Sequence, residues 1–155
     1  MAGVLEQLKS IRAHAGEHNT VGLDNDTVCR FVGKDETLIE AVNAATEEFE
    51  NLRREYPELM ALGETEQMAA IEEHLVNFYA DDAVNPYVSM AAAGPWVITT
   101  KGAVIHDSGG YGMLGFGHVP APIIDAMTKP QVMANVMTPS FSQLRLAEAL
   151  KKEIG

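Results

Sequence analysis

Residues 94–107 read GPWVITTKGAVIHD, and in this stretch the chain changes period. Trp96 to Thr99 and Ala103 to His106 are two short runs rich in β-branched side chains, separated by Thr100, Lys101 and Gly102. Two such runs joined by a short glycine-containing turn spell an antiparallel β-hairpin. Upstream, the apolar residues recur at spacings of three and four. Leu38, Ile39, Val42, Ala45, Phe49 and Leu52 share one face of a helix predicted over residues 36–55, capped by Asp35 and ended before Pro57. A further helix is predicted from about Thr65 to Tyr79, burying Met68, Ile71, Leu75 and Phe78, and an early one from Val4 to Ala15 uses Leu5, Leu8 and Ile11. A shorter helical turn follows Asp24 through Phe31, with Cys29 expected as a buried, inert thiol. Downstream of the hairpin, Pro120 and Pro122 start a short helix to Met127, and Pro130 stops it. After the apolar connector QVMANVMTP, a last helix opens near Ser140 with Leu144, Ala147, Leu150 and Ile154 as its expected buried stripe.

The charge divides the chain the same way. Residues 1–75 carry 16 acidic and 6 basic side chains, whereas residues 76–155 carry 6 and 5. The net charge of −11 argues against a nucleic-acid partner, because binding phosphates needs clustered Lys and Arg. At 155 residues and 46% hydrophobic, the chain is long enough to bury a core. A single cysteine leaves no internal disulfide, and no apolar run approaches the roughly 18 residues a membrane span needs. The expectation is a soluble, cytoplasmic protein with no membrane partner. The expected organisation is an acidic helical arm over 1–80, followed over 81–155 by a hairpin, a glycine-rich loop and helices.

Residues 109–118, GGYGMLGFGH, contain Gly110, Gly112 and Gly115 in the order G-x-G-x-x-G. A dinucleotide loop of that pattern needs a helix starting within it and an acidic residue about 20 positions on. Here Phe116 to Val119 intervene before the proline-started helix, and Ala134, Asn135 and Val136 occupy the acidic position. The nucleotide reading therefore fails. His14 and His18 have the spacing of paired metal ligands, but no third ligand is near in sequence, so no metal site is expected. DNDTVCRFVGKD begins like a calcium loop and puts Val28 and Cys29 where an oxygen ligand and a glycine are required. Asn25-Asp26-Thr27 reads as helix-capping chemistry. Cys29, Ser108 or Ser140 with His106 or His118 carry no nucleophile signature. His118 either caps and packs its turn or has a direct chemical role.

Taken together, GPWVITTKGAVIHD (94–107), GHVP (117–120), IIDA (123–126) and TPSFSQLRLAEAL (138–150) resemble the N-terminal segment of class III aminotransferases, the ornithine and 4-aminobutyrate type, which use pyridoxal phosphate. The resemblance covers about residues 94–155. It implies an α+β fragment: the N-terminal part of a fold type I α/β enzyme, with a helical acidic arm, a small antiparallel hairpin and the first helices. It implies a parent reaction that moves an amino group from an amine or amino acid to a 2-oxo acid, in a homodimer, and relatives with the same fold include aminomutases and decarboxylases. Counting back seven positions from His118, Tyr111 falls where the family's substrate-mouth loop contacts substrate, flanked by Gly112 and Met113; its alternative is to pack under the glycine loop. Ser140, Phe141 and Ser142 fall where the family brings a segment to the active site across the dimer interface. Thr99-Thr100-Lys101 departs from a turn that is often acidic in the family, and the acidic arm is longer than the family pattern. The family's cofactor lysine, its acidic partner of the pyridine nitrogen and its phosphate donors have no match in this chain. The resemblance thus implies a chain that is inactive alone and forms no covalent bond to pyridoxal phosphate. The rival reading is a non-catalytic helical interaction module.

Overall fold

The computed structural model describes residues 2–74, 80, 86–108, 115–130 and 137–154. They form two compact units, Met1–Pro120 and Ala121–Gly155. The division expected after residue 80 falls inside the first of them.

The spine of the first unit is α3, Glu36–Glu55, at about 1.5 Å per residue roughly 30 Å long. It begins where expected because the Asp35 carboxylate accepts a hydrogen bond from the Thr37 N–H at 3.0 Å and another from its hydroxyl at 2.6 Å. Leu38, Ala41, Val42, Ala45 and Phe49 are buried, while Ile39 and Leu52 are half-buried at the edge of the stripe. Packed on α3 is α1, Ala2–Arg12, which buries Val4, Leu8 and Ile11 and stops three residues short of the expected end. Next comes α2, Asn25–Val32, capped by Asp24, which accepts from the Thr27 N–H at 2.8 Å. Cys29 is half-buried on α2, not fully buried as expected, since the buried positions of this helix are Val28 and Val32.

Pro57 ends α3 by opening a separate five-residue helix, α4, Pro57–Ala61, which the sequence reading missed. Then α5, Glu64–Glu72, corrects the stripe predicted there. Met68 and Ile71 are half-buried, and the buried positions are Glu64 and Gln67; Leu75 and Phe78 lie outside the described residues.

The hairpin is present with one strand more than expected: β1, Ser89–Ala93, β2, Trp96–Thr99, and β3, Val104–His106, form an antiparallel sheet in the order β1-β2-β3. Val97 pairs with Ala92 on one side and Ile105 on the other. The alternating small residues of SMAAA carry almost no β-propensity, which hid β1 from the pattern. As the central strand, β2 is buried along its whole length. Trp96, Ile98, Val104 and Ala93 join the helical stripes in one core, so the acidic arm and the hairpin fold around each other.

In the second unit, α6, Ala121–Thr128, starts at the prolines as expected, and α7, Phe141–Ile154, follows Ser140. The stripe expected to be buried on α7 is not. Leu144, Ala147, Leu150 and Ile154 are all exposed. Among the described residues, no helix is long and apolar enough to cross a membrane.

Candidate functional site

Three turns of the chain meet at one end of the sheet. Gly94 and Pro95 make the two-residue turn between β1 and β2, Asp107 follows β3, and Gly117-His118 returns after the glycine-rich loop. Gly94 and His118 exchange both backbone hydrogen bonds, at 3.0 and 2.7 Å, and the Asp107 N–H donates to the Pro95 carbonyl at 2.7 Å. The His118 ring then lies against Asp107, with Nε2 3.2 Å from Oδ2, so a ring protonated on Nε2 donates to the carboxylate. Both side chains are partly exposed, and with Tyr87, Ser89, Met90 and Val97 they line a cavity of about 310 Å³.

Glycine is required at two of these positions. Gly94 sits at φ +53, and a Cβ there would lie 2.5 Å from Thr37 Oγ1; Gly117, at φ +75, would set its Cβ 2.8 Å from the Gly94 carbonyl carbon. Gly94→Ala is accordingly expected to cost about 2 kcal/mol or more in denaturant unfolding, through left-handed strain and the collision with α3. Val119 is the one non-glycine residue at positive φ among the described residues, at +49, and it is 67% exposed. A β-branched residue is poorly suited to that conformation, so Val119→Asn should stabilise the fold by about 1 kcal/mol.

Behind the turn stands Trp96. Its indole N–H donates to Asp35 Oδ2 at 2.8 Å, and its ring meets Phe31 and His106 edge-on at 5.0 and 4.9 Å. The Thr37 hydroxyl, then the Trp96 indole and the Thr37 N–H, hold Asp35 below the usual carboxylate range against partial burial, with His106 adding to the effect. The N-terminus of α3 is thereby tied to the strand that carries the site.

The other end of the hairpin holds a polar cluster that the sequence reading missed. Thr99, Thr100 and Lys101 are buried, Lys101 being 2% exposed, because the turn inserts against α1 and the α4–α5 connection. The Lys101 ammonium donates to the Leu62 carbonyl, and the Thr100 hydroxyl donates to Gln67 Oε1 at 2.6 Å. Glu64, also 2% exposed, accepts through Oε2 from the N–H groups of Asn19 and Thr20 at 2.8 and 2.9 Å; its Oε1 is buried without a hydrogen-bond partner. Burial pushes the Lys101 pKa down, and the Glu64 charge partly opposes this. A Thr-Thr-Lys turn reads as solvent-facing, and only the paired burial of Glu64 and Gln67 on α5 reveals its depth.

Of the residues expected at a substrate mouth, Tyr111, Gly112 and Met113 lie outside the described residues. Asp107 and His118, on either side of them in sequence, are brought together. Ser140, Phe141 and Ser142 lie at the start of α7: Ser140 caps it, its Oγ accepting from the Gln143 N–H at 3.3 Å while its own N–H donates to Gln143 Oε1 at 2.9 Å. Phe141 is 76% exposed. His14 and His18 each place Nδ1 2.9 Å from a local backbone carbonyl, of Ser10 and Gly16. Among the described residues, no three His, Cys, Asp or Glu side chains converge as a metal site would require.

Lys9, Lys34, Lys129, Lys151 and Lys152 are exposed, and Lys101 is buried and committed to a carbonyl. Compared with models of known protein families, with curated proteins and with solved structures, the chain matches none of them.

Proposed function

We propose that this chain is the N-terminal, substrate-mouth part of a pyridoxal phosphate-dependent enzyme of the class III aminotransferase type, which transfers an amino group from an amine or amino acid to a 2-oxo acid. Support comes from residues 94–107 and 117–126, which carry the resemblance, and from one feature of their geometry. The Asp107–His118 contact, with the Gly94–His118 backbone pair, brings together the residues on either side of the segment that contains Tyr111, Gly112 and Met113. A segment whose two ends are held together costs less entropy to order around a ligand. In this reading His118 and Asp107 are positioning residues, and Tyr111 offers an aromatic wall and a phenol donor to substrate. The cofactor is held by segments of the parent protein other than this chain.

The 155-residue chain should therefore form no stoichiometric, borohydride-trapped lysine adduct with pyridoxal phosphate, as measured by intact mass. A single-site adduct at full occupancy would contradict the reading. A second test is the gene beyond Gly155: a reading frame that supplies a lysine and an acidic cofactor partner supports it, and a stop codon there does not.

An interaction module is the alternative reading, and one observation favours it: both α6 and α7 expose large apolar side chains, among them Ile123, Ile124, Met127 and Leu146.

A further inference from the structure

At the β2–β3 end of the hairpin, a cavity of about 290 Å³ lies between the end of α1, the segment that leads into α2 and the turn formed by Thr100 to Gly102. All of its lining residues are described and belong to the first unit. Its fixed point is Arg12, the last residue of α1. A Cβ on Gly102 would stand 2.7 Å from Arg12 Cγ, so the glycine lets the arginine stem cross directly over the turn. There Nε donates to the Gly102 carbonyl at 2.9 Å and Nη1 to Asn25 Oδ1 at 2.7 Å. Two of the five guanidinium N–H groups are used in this way; one on Nη1 and both on Nη2 have no partner among the described residues. The side-chain N–H groups of Asn25, which lines the same cavity, have none either.

The charge of Arg12 is also unmatched. Among the described residues it makes no ion pair. Burial lowers its pKa, and no acidic side chain acts against that. The other charges of the lining have partners: Glu64 acts on the buried Lys101, and Arg30 on Asp24, whose oxygens also accept from the Thr27 N–H and hydroxyl. His18, the remaining titratable group of the lining, is exposed and bonded through Nδ1 to the Gly16 carbonyl. In a chain with 22 acidic and 11 basic side chains, a half-buried arginine held in place without a carboxylate stands out. One unmatched positive charge suits a monoanion; a phosphate dianion would leave an excess negative charge beside Asp24. Val21, Leu23 and Ala103 supply the apolar part of the lining.

We propose that this cavity binds a small monocarboxylate with a short aliphatic tail, its oxygens accepting from Arg12 Nη2 and Asn25 Nδ2 and its tail lying against Val21 and Leu23. A planar guanidinium already held by two hydrogen bonds loses little further freedom on meeting a carboxylate. An open site with a single charged anchor binds weakly, with a dissociation constant of about 1 mM. The proposal rests on residues that the aminotransferase reading does not use, so either can fail without the other.

The test is an NMR titration of the isotopically labelled whole chain with sodium butyrate, with sodium chloride at equal ionic strength as the reference. Butyrate should give saturable shifts of the Arg12 Nε–H, the Asn25 side-chain amide and the Gly102 N–H, all with one dissociation constant. Inorganic phosphate should bind about tenfold more weakly or less. Arg12→Lys keeps the stem and the charge but loses the planar fork, and should weaken butyrate binding about tenfold. Asn25→Asp keeps the oxygen that holds Nη1, removes the amide donor and supplies the missing counter-charge, so it should weaken binding at least as much. The amide spectrum shows whether each variant is folded, and Asn25→Asp decides the matter if Arg12→Lys is not. Arg53→Lys, on α3, should leave binding unchanged. Shifts that do not saturate or that chloride reproduces, phosphate bound as tightly as butyrate, or folded variants that bind like the parent chain would each overturn the proposal.

Discussion

Trp96→Ala is expected to remove about 3–5 kcal/mol of stability, enough to leave much of the chain unfolded at room temperature if its total lies near the low end of the range for small domains. The side chain is 1% exposed at the start of the central strand, so truncation opens a cavity between the sheet and α3 that neither can easily close. It also withdraws the indole donor from Asp35 and the ring contacts to Phe31 and His106. Trp96→Phe separates these effects, since it keeps most of the apolar volume and loses the donor; its cost in denaturant unfolding should be about 1–2 kcal/mol. The acid limb of the stability curve carries a second signature. A carboxylate whose folded pKa is depressed stabilises the fold above its unfolded value, near 3.9, and that contribution disappears as pH falls through the folded value. Asp35 behaves in this way, held down first by the Thr37 hydroxyl and then by the indole, so the fall in acid should be shallower in Trp96→Phe than in the parent chain.

The second large effect belongs to the buried turn. Lys101→Met should cost about 3 kcal/mol, because the Glu64 carboxylate then stays buried with one oxygen unpartnered and its nearby cation gone. Lys101→Met with Glu64→Gln should cost less than Lys101→Met alone, and a double-mutant cycle by chemical denaturation measures the difference. Additive losses would show that the two charges do not act on each other. The pH effect has the same sign as that of Asp35 but falls in the alkaline range, and at neutral pH the lowered pKa is a cost to folding instead of a gain. A lysine whose folded pKa is lowered binds its proton less tightly in the native state, so between the folded value and about 10.5 the unfolded state holds more protons and stability rises with pH. Lys101→Met should abolish that alkaline rise.

The positions legible in the sequence were those where local chemistry and burial agree. Asp35 and Asp24 cap helices because a short carboxylate reaches the free N–H groups of a first turn, and that is readable one residue at a time. Trp96 to Thr99 and Val104 to His106 are strands in any context that buries one face. What escaped depends on contacts between distant segments. The β1 strand is held by its pairing with β2 and by α3, not by the propensity of Ser-Met-Ala-Ala-Ala. Glu64, Gln67 and Lys101 are polar residues whose burial each makes possible for the others, a relation that spans 37 residues and leaves no local mark. On α7 the pattern was right and its consequence wrong: periodicity identifies an apolar stripe but not what covers it. At the candidate site, the sequence singled out Gly117-His118 and Asp107 as parts of one motif. Their direct contact, with Gly94 as the third member, required the fold.

We propose above that the segment between Asp107 and His118 forms the substrate mouth of an amino-transferring enzyme. The direct measurement is amino transfer from a panel of amines and amino acids to 2-oxo acids by the full product of the gene, loaded with pyridoxal phosphate, for the parent protein and for Tyr111→Ala and His118→Ala. Transfer with at least one donor is expected, and in both variants a KM raised by about tenfold or more, matching the loss of about 1.4 kcal/mol of binding, with kcat changed much less. Absence of transfer with every donor, or variants whose kinetics match the parent protein, would contradict it.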